Sequence, residues 1–231
     1  MIRVFIGCDD VEMLAYHVLA DSIMRHSSVP VSITPIRLSN LAHIYSRPRD
    51  ERQSNEFSFT RFLVPYLCGY EGTAIFMDCD MLMRADIAEL TKYFENYRFN
   101  VACVHHDYEP KSDIKYLGNV QYTYPRKNWS SLMLFRCDLC RRLTLDFVNT
   151  ASAEALHRMY WAPTIQKIDP TWNWLVGEYE YRGDAKLIHW TIGGPWFEEY
   201  ENTDYADEWY QALRLATNVE RPSSKLTFSG V

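Results

Sequence analysis

The sequence of 231 residues lacks any apolar run close to the ~18 residues that a membrane-spanning helix requires. This absence predicts a chain without a transmembrane segment, for which any membrane contact would be peripheral. The sequence also lacks an excess of basic residues, since its formal net charge is −6. Because a general nucleic-acid-binding protein presents a basic face, this charge argues against that class.

The six cysteines form no complete metal-binding pattern. Cys137 and Cys140 make a C-x-x-C pair, but no second cysteine pair or nearby histidine pair completes a zinc site. We therefore interpret them as thiols that pack a helix. Met1 leads directly into a predicted strand without a signal-peptide pattern, and these features together favour the reducing cytoplasm as the location.

Glycine is scarce, with nine residues, and no glycine-rich loop follows the first predicted strand at residues 2–7. The turn after this strand is acidic instead, with the sequence GCDD at residues 7–10. Nucleotidyltransferases usually place a glycine-rich, basic loop at this point, where backbone N–H groups hold phosphate. The turn therefore disfavours that class, which we keep as an alternative.

Apolar residues make up 47% of the chain, which is ample for the core of a single domain. The first 80 residues alternate between the periods of strands and helices. The predicted elements are a strand at 2–7, a helix at 11–26, a strand at 31–37 whose Pro35 indicates a sheet edge, a helix at 57–67 that buries Leu67, and a strand at 73–77. Crossovers of this kind are right-handed and give a parallel sheet, whose strands all open their carboxyl ends on one edge.

The rest of the chain is less regular and shows no internal repeat. It contains predicted strands near 99–104, 130–135 and 186–190, helices up to about residue 160, and a closing helix at 205–216. The predicted fold class is α/β, with a Rossmann-like, mostly parallel central sheet flanked by helices. Residues 1–220 are expected to form a single domain, and residues 221–231 a loose tail.

Asp78 and Asp80 follow the buried strand at 73–77, at the edge where open α/β sheets bind ligands. Residues two apart on an extended chain point the same way, so both carboxylates can reach one cation while Cys79 turns away. Asp9 and Asp10 follow the neighbouring strand, and we expect all four carboxylates to share a crevice.

His189 ends a later predicted strand and can add a nitrogen ligand to this pair. Two carboxylates and an imidazole suit Mn²⁺ or Mg²⁺, with open positions for the oxygens of a diphosphate. The alternatives are a solvated turn after a strand for the two aspartates and a hydrogen-bonded core position for the histidine. For Asp9, an N-cap role competes with contact to a nucleotide.

Four segments fall in the order and spacing of the glycosyltransferase family 8 type. They are FTRFLVP at 59–65, AIFMDCDML at 74–82, WSSLMLF at 129–135 and HWTIGGPW at 189–196. The chain resembles bacterial members of that family over most of its length. The resemblance implies a GT-A fold and a metal-dependent transferase that takes a sugar from a nucleotide-sugar, usually a UDP-sugar, with retention at the anomeric carbon.

By the same resemblance, Asp78 and Asp80 match the metal-binding Asp-x-Asp motif, and His189 matches the histidine that opens the C-terminal motif. Arg61 matches an arginine near the nucleotide. Asp9, Arg61, Asp78 and Gly193 are thus expected to bind the nucleotide-sugar. Residues 1–80 would form the nucleotide-binding half, and residues 81–220 the acceptor side with the strand that completes the metal site.

The chain departs from the family pattern at several positions. Gly194 stands where the family has a lysine on the diphosphate, so Lys111, Lys115, Lys127 or the metal alone would have to take that role. Trp129 stands where the family more often has asparagine. The family's Asp-Gln segment has no clear match, so no catalytic residue is assigned.

The sequence therefore predicts a glycosyltransferase with a nucleotide-sugar donor, and leaves open whether the acceptor is a glycan, a lipid-linked molecule or a protein. A non-catalytic domain of the same fold that binds a nucleotide-sugar or a glycan is the alternative, since the missing lysine and the unmatched segment would fit a lost activity.

Overall fold

The structure, a computed structural model, describes residues 1–49, 53, 55–112, 114–120 and 125–217. The strands are β1 (Ile2–Cys8), β2 (Val31–Arg37), β3 (Thr73–Met77), β4 (Met81–Met83), β5 (Val101–Cys103), β6 (Leu132–Arg136), β7 (Ile165–Lys167), β8 (Trp174–Leu175) and β9 (Leu187–His189). The α-helices are α1 (Met13–His26), α2 (Val64–Leu67), α3 (Thr91–Asn96), α4 (Leu145–Thr150), α5 (Ala153–His157) and α6 (Ala206–Thr217). The predicted tail at 221–231 lies outside the described residues.

The central sheet contains six strands within the described part of the chain, in the order β2-β1-β3-β6-β5-β7. Strand β1 runs parallel to β2 and β3, and β5 runs parallel to β7. Strand β6 runs antiparallel to both of its neighbours. The predicted α/β class with a mostly parallel sheet is confirmed, and β2 with Pro35 lies at the sheet edge as expected.

Strand β3 shows why the sequence folds this way. Its residues 74–77 are all buried, without the alternation of a sheet that has one solvated face. Such a run is typical of a strand that helices cover on both sides. Helix α1 packs on the same core, because its residues Ala15, Leu19 and Ile23 recur at helical spacing and are buried, and Leu19 and Ile23 share one apolar cluster with β3.

A second, smaller sheet has the order β4-β9-β8 in the described residues. Strand β4 begins just after Asp80 and pairs antiparallel with β9, so that Met81 lies opposite His189. A separate apolar cluster, which includes Leu82, Trp190 and Trp209, packs this sheet against α1 and α6. The chain thus passes from the central sheet to the small sheet at residues 78–80.

The predicted helix at 57–67 is wrong in its form. The structure has a 3₁₀ turn at Thr60–Leu63 followed by the single-turn helix α2. Pro65 explains the difference, because it has no N–H to donate to the carbonyl of Arg61, four residues earlier. Leu67, expected in the core, is 36% exposed.

Helix α1 begins two residues later than predicted, at Met13. The Asp9 carboxylate accepts a hydrogen bond from the backbone N–H of Glu12 at 3.1 Å, so residues 9–12 form a turn before the helix. Val11, predicted on the apolar face of the helix, is consequently 56% exposed. No helix in the described residues is long and apolar enough to cross a membrane.

Candidate metal centre and its cavity

Asp78, Asp80 and His189 form one group at the junction of the two sheets. Asp78 leaves the end of β3, Asp80 precedes β4, and His189 ends β9, which pairs with β4. One ligand atom of each side chain lies within 4.8 Å of the others, and all three residues are buried. The structure therefore brings together the three residues that the sequence predicted as metal ligands.

Backbone hydrogen bonds fix the two aspartates. The N–H of Asp78 donates to the carbonyl of Ser131 at 2.9 Å, and the carbonyl of Asp80 accepts from Trp190 N–H at 2.9 Å. Cys79, between them in the sequence, is buried. One bond thus ties Asp78 to the segment that precedes β6 of the central sheet, and the other ties Asp80 to the segment that follows β9 of the small sheet.

A chain of hydrogen bonds sets the proton on His189. The hydroxyl of Ser131 donates to the carbonyl of Asn128 at 2.7 Å. The amide nitrogen of Asn173 donates to the Ser131 hydroxyl oxygen at 2.8 Å. The amide oxygen of Asn173 lies 2.8 Å from Nδ1 of His189.

The direction of this chain follows from its end, because a backbone carbonyl can only accept. The Asn173 oxygen therefore faces Nδ1 of His189, which must carry the proton and donate it. In the neutral form of the imidazole, which is the form that binds a metal, the lone pair is then on Nε2, and Nε2 lies 3.3 Å from Oδ1 of Asp80. Fixing the tautomer through the other ring nitrogen is how proteins prepare a histidine for a metal.

This arrangement leaves two acceptors facing each other. Oδ1 of Asp80 is buried and has no hydrogen-bond donor among the described residues. The lone pair of His189 Nε2 cannot serve it. A cation between the two atoms would satisfy both, and a donor set of two carboxylates and one imidazole suits Mn²⁺ or Mg²⁺. The residues present thus fit a divalent metal.

Arg61 lies beside the group as a buried cation, 4% exposed. It donates from Nε to the carbonyl of Phe57 at 3.1 Å and from Nη1 to the carbonyl of Ser130 at 3.0 Å. Nη1 also lies 2.8 Å from Oδ1 of Asp78. Burial raises the pKa of Asp78 to about 6, and the charge of Arg61 opposes that rise.

The group opens into a cavity of about 460 Å³. Besides the metal group and Arg61, its lining residues include Lys115, Asn128, Thr191, Ser130 and His157. The hydroxyl of Ser130 lies 3.1 Å from Nδ1 of His157. Burial and the charge of Arg61 lower the pKa of His157 to about 3, so this histidine is neutral.

Several other residues predicted for the site do not line this cavity. Asp10 is exposed and pairs with Arg37, so the expectation of four carboxylates in one crevice is wrong for Asp10, which the turn before α1 directs outward. Asp9 is buried and bonded within its turn, and neither it nor Gly193 is among the cavity-lining residues. Lys115 lines the cavity, unlike Lys111 and Lys127.

Sequence reasoning missed several residues of the site. Asn173 ends the stretch IDPTWN at 168–173, which only loosely resembles the Leu-Pro-x-x-Trp-Asn segment of the glycosyltransferase family 8 type and was a weak signal for its role. Glu12 is buried, and the hydroxyl of Tyr116 donates to its Oε2 at 3.1 Å. Burial, with the charges of Asp80 and Asp9, raises the pKa of Glu12 well above its usual value. No local pattern marked Glu12 or His157.

Comparison with known proteins shows the family of the chain. No protein-family model matches the sequence. Protein CDI from Arabidopsis thaliana is 44% identical over 222 residues, which cover 91% of this chain and 85% of that protein. The chain belongs to the Protein CDI family. Because this member of the CDI family is a plant protein, the bacterial kinship expected from the sequence stays a prediction.

Solved structures show that this CDI-family chain has the GT-A fold. The galactosyltransferase LgtC, in complex with donor and acceptor sugar analogues, matches with a TM-score of 0.59 and 9% identity over 95% of this chain and 98% of its own. The bifunctional glycosyltransferase WbbM matches with a TM-score of 0.59 and 14% identity over 92% of this chain. The match spans about half of WbbM, at 49%. At such identities the likeness concerns the fold.

Proposed function

We propose that the chain is a metal-dependent glycosyltransferase of the family 8 type, which moves a sugar from a nucleotide-sugar donor to an acceptor. A UDP-sugar is the first candidate for the donor. The observation that carries the proposal is the buried group of Asp78, Asp80 and His189, which lines a 460 Å³ cavity in a GT-A fold. The neighbour LgtC holds donor and acceptor sugar analogues in the same fold.

The carboxylates of Asp78 and Asp80 and Nε2 of His189 would hold Mn²⁺ or Mg²⁺. When bound, the cation supplies positive charge that stabilises the diphosphate oxygen released from the donor. Asn173 keeps His189 in the tautomer that offers Nε2. Arg61, on the same side of the cavity as Asp78, adds a fixed positive charge for the donor.

Asp9 and Gly193 complete the proposed set of residues that contact the nucleotide-sugar. Asp9 follows β1, the strand next to β3 in the central sheet, and Gly193 follows β9 of the small sheet. Both therefore lie on segments that leave the carboxyl ends of strands adjacent to the metal group. This position, rather than a contact in the cavity, supports their assignment.

The chemistry needs little beyond these residues. The bond between the anomeric carbon and the phosphate oxygen breaks, and the oxygen leaves with the electron pair. The acceptor oxygen bonds the anomeric carbon on the same face, and its proton passes to the departing phosphate. A strong side-chain base is thus unnecessary, which agrees with the low pKa of about 3 for His157. NMR of the early product tests retention, and an inverted anomer would rule it out.

Donor turnover tests the proposed function. We expect the protein to release nucleotide slowly from one donor in a panel of UDP- and GDP-sugars with Mn²⁺, even without the acceptor. Asp80→Asn should abolish the release, whereas Asp10→Asn, at an exposed carboxylate outside the cavity, should leave it unchanged. Release of nucleotide that is equally fast in Asp80→Asn would contradict the proposal.

Two other outcomes identify the alternatives. Binding of a nucleotide-sugar without any release would indicate a non-catalytic domain, and thermal stabilisation by UDP with Mn²⁺ detects such binding. Formation of a nucleotide-sugar and pyrophosphate from a sugar phosphate and a nucleoside triphosphate would indicate a nucleotidyltransferase.

A further inference from the structure

A short hairpin at residues 114–120 carries Lys115 into the cavity. Ile114 and Val120 form an antiparallel bridge, and the N–H of Lys115 donates to the carbonyl of Asn119 at 2.8 Å. Leu117 closes the turn with a positive φ of 56°. These bonds give the hairpin one defined conformation around the lysine.

Tyr116 anchors the hairpin on the site. Its N–H donates to the carbonyl of Ile192 at 2.8 Å, and its hydroxyl donates to Glu12 at 3.1 Å. Its ring stacks on Phe197 with the centroids 4.9 Å apart. The neighbouring Lys115 is therefore presented from a fixed position, which favours a binding role over a solvated surface charge.

Lys115 and Thr191 have hydrogen-bond donors left over for a ligand. Lys115 Nζ and the amide nitrogen of Asn128 both donate to the hydroxyl oxygen of Thr191, at 3.3 and 3.1 Å. The Thr191 hydroxyl accepts twice, and its own proton has no acceptor among the described residues. The ammonium of Lys115 likewise keeps two N–H groups without an acceptor there.

The ammonium of Lys115 makes no ion pair with a carboxylate of the described residues. The negative charges that act on it, from Asp80, Asp78, Glu12 and Glu178, lie beyond the 4.0 Å ion-pair distance. Lys115 and the metal group thus lie on the same cavity without direct contact. The oxygens of a phosphate group bind well where free N–H and O–H donors lie beside a cation that carboxylates hold.

The segment at 189–196, in which Gly194 replaces the lysine of the family pattern, cannot supply a cation for the phosphate. A Cβ atom at Gly194 would lie 2.1 Å from Cη2 of Trp196, so packing excludes a lysine at that position. Of the lysines in the described residues, Lys115 is the one that lines the cavity.

We propose that Lys115 and Thr191 form an anion subsite that holds the second phosphate group of the donor's diphosphate, next to the metal. The inference rests on the proposed function and extends it, because it assigns the diphosphate to a hairpin that the sequence resemblance does not mark. We therefore expect the subsite to raise the affinity for a nucleoside diphosphate and to leave the affinity for a nucleoside monophosphate unchanged.

The test measures the affinity of UDP and UMP with Mn²⁺ by calorimetry. We expect the wild type to bind UDP more tightly, and Lys115→Met to lose about 10- to 100-fold in UDP affinity while its UMP affinity stays within about twofold. Thr191→Val should give a smaller loss of the same kind, and Lys115→Arg should retain part of the preference. Lys92→Met, at an exposed lysine on α3, serves as the control.

An unchanged ratio of UDP to UMP affinity in Lys115→Met and Thr191→Val would overturn the subsite while leaving the proposed function intact. Tighter Mn²⁺ binding by Lys115→Met without nucleotide, with the ratio unchanged, would also overturn it, since the lysine would then compete with the metal. A wild type that binds no nucleotide would overturn the proposed function and the subsite together. Circular dichroism checks folding, and Lys115→Arg keeps the test decisive if Lys115→Met does not fold.

Discussion

Replacement of Asn173 by leucine should weaken metal binding without touching any metal ligand. Asn173 is fully buried, and its side chain links the Ser131 hydroxyl to Nδ1 of His189. Leucine has a similar volume but neither donates nor accepts. The Nδ1 proton of His189 then loses its acceptor, so the imidazole is free to adopt the tautomer that protonates Nε2.

The size of the effect follows from these two hydrogen bonds. Loss of a partner outside the ligand set typically lowers metal affinity by about 10- to 100-fold, which corresponds to about 1.4–2.7 kcal/mol of binding free energy. The buried Nδ1 group left without an acceptor should cost the metal-free protein about 1–3 kcal/mol of stability. Asn173→Asp should retain most of the metal affinity, because a carboxylate still accepts from Nδ1.

Calorimetric titration with Mn²⁺ measures the affinity, and urea unfolding with a chelator measures the stability of the metal-free protein. Asn149→Leu is the matched control, since Asn149 also makes two hydrogen bonds, to Ile44 and Ser46, and is not among the residues that line the cavity. A folded Asn173→Leu protein that binds Mn²⁺ within about twofold of wild type would refute the proposed role of the hydrogen-bond chain.

Three further predictions follow from buried groups. Arg61→Met should lose about 3–5 kcal/mol of unfolding free energy at pH 8, because it leaves the buried carboxylate of Asp78 unpaired. The loss measured by urea unfolding should be smaller at pH 5. At that pH Asp78 is largely neutral, since its pKa is raised to about 6. His157 has a pKa lowered to about 3, mainly by burial, so the unfolded chain binds a proton below pH 6.5 that the folded chain does not, and this difference should contribute a fall in stability of about 1.4 kcal/mol per pH unit from 6.5 toward 3. His106, whose pKa burial also lowers to about 3, adds a similar contribution. His157→Gln should make this fall shallower in urea unfolding between pH 6 and 4. Gly194→Ala should lower thermal stability by about 1–3 kcal/mol, because its methyl group would meet Trp196 at 2.1 Å.

Each of these predictions has an outcome that contradicts it. An equal loss for Arg61→Met at pH 5 and pH 8 would show that the ion pair is not its cause. An unchanged acid slope in His157→Gln would assign that slope to other groups. Gly183→Ala is the control for Gly194→Ala, because a Cβ at Gly183 meets no atom within 4 Å.

Strands were predictable where burial on both faces leaves a continuous apolar run. The expected strand at 73–77 has the bounds of β3, which is buried in this way. The expected strand at 31–37 also has the bounds of β2, an edge strand that is only partly buried but rich in β-branched residues. The helix expected at 57–67 failed because its apolar spacing was satisfied by a 3₁₀ turn, which tolerates Pro65. Periodicity records which side chains are buried, and it does not report the hydrogen bonds that a proline removes.

The candidate site was predictable where the chain itself delivers a residue to a strand end. Asp78 and Asp80 follow β3 and His189 ends β9, so all three could be placed at strand ends from the sequence, whereas the antiparallel pairing of β9 with β4 in a separate sheet could not. Asn173 and Lys115 depend on contacts between segments far apart in sequence, with Asn173 hydrogen-bonded to residue 189 and Lys115 to residue 191. Such pairings are set by tertiary packing and leave no local pattern.

The division of the metal ligands between two sheets has a mechanical consequence. Asp78 follows a strand of the central sheet, whereas His189 ends a strand of the small sheet that α6 supports. A cation held by both would add a further link between two sheets that already share the buried residues Met81, Met83 and Leu187 in one apolar core. We therefore expect bound metal to slow amide hydrogen exchange in β4, β8 and β9 together. Metal binding at the site and the rigidity of the small sheet would then be coupled.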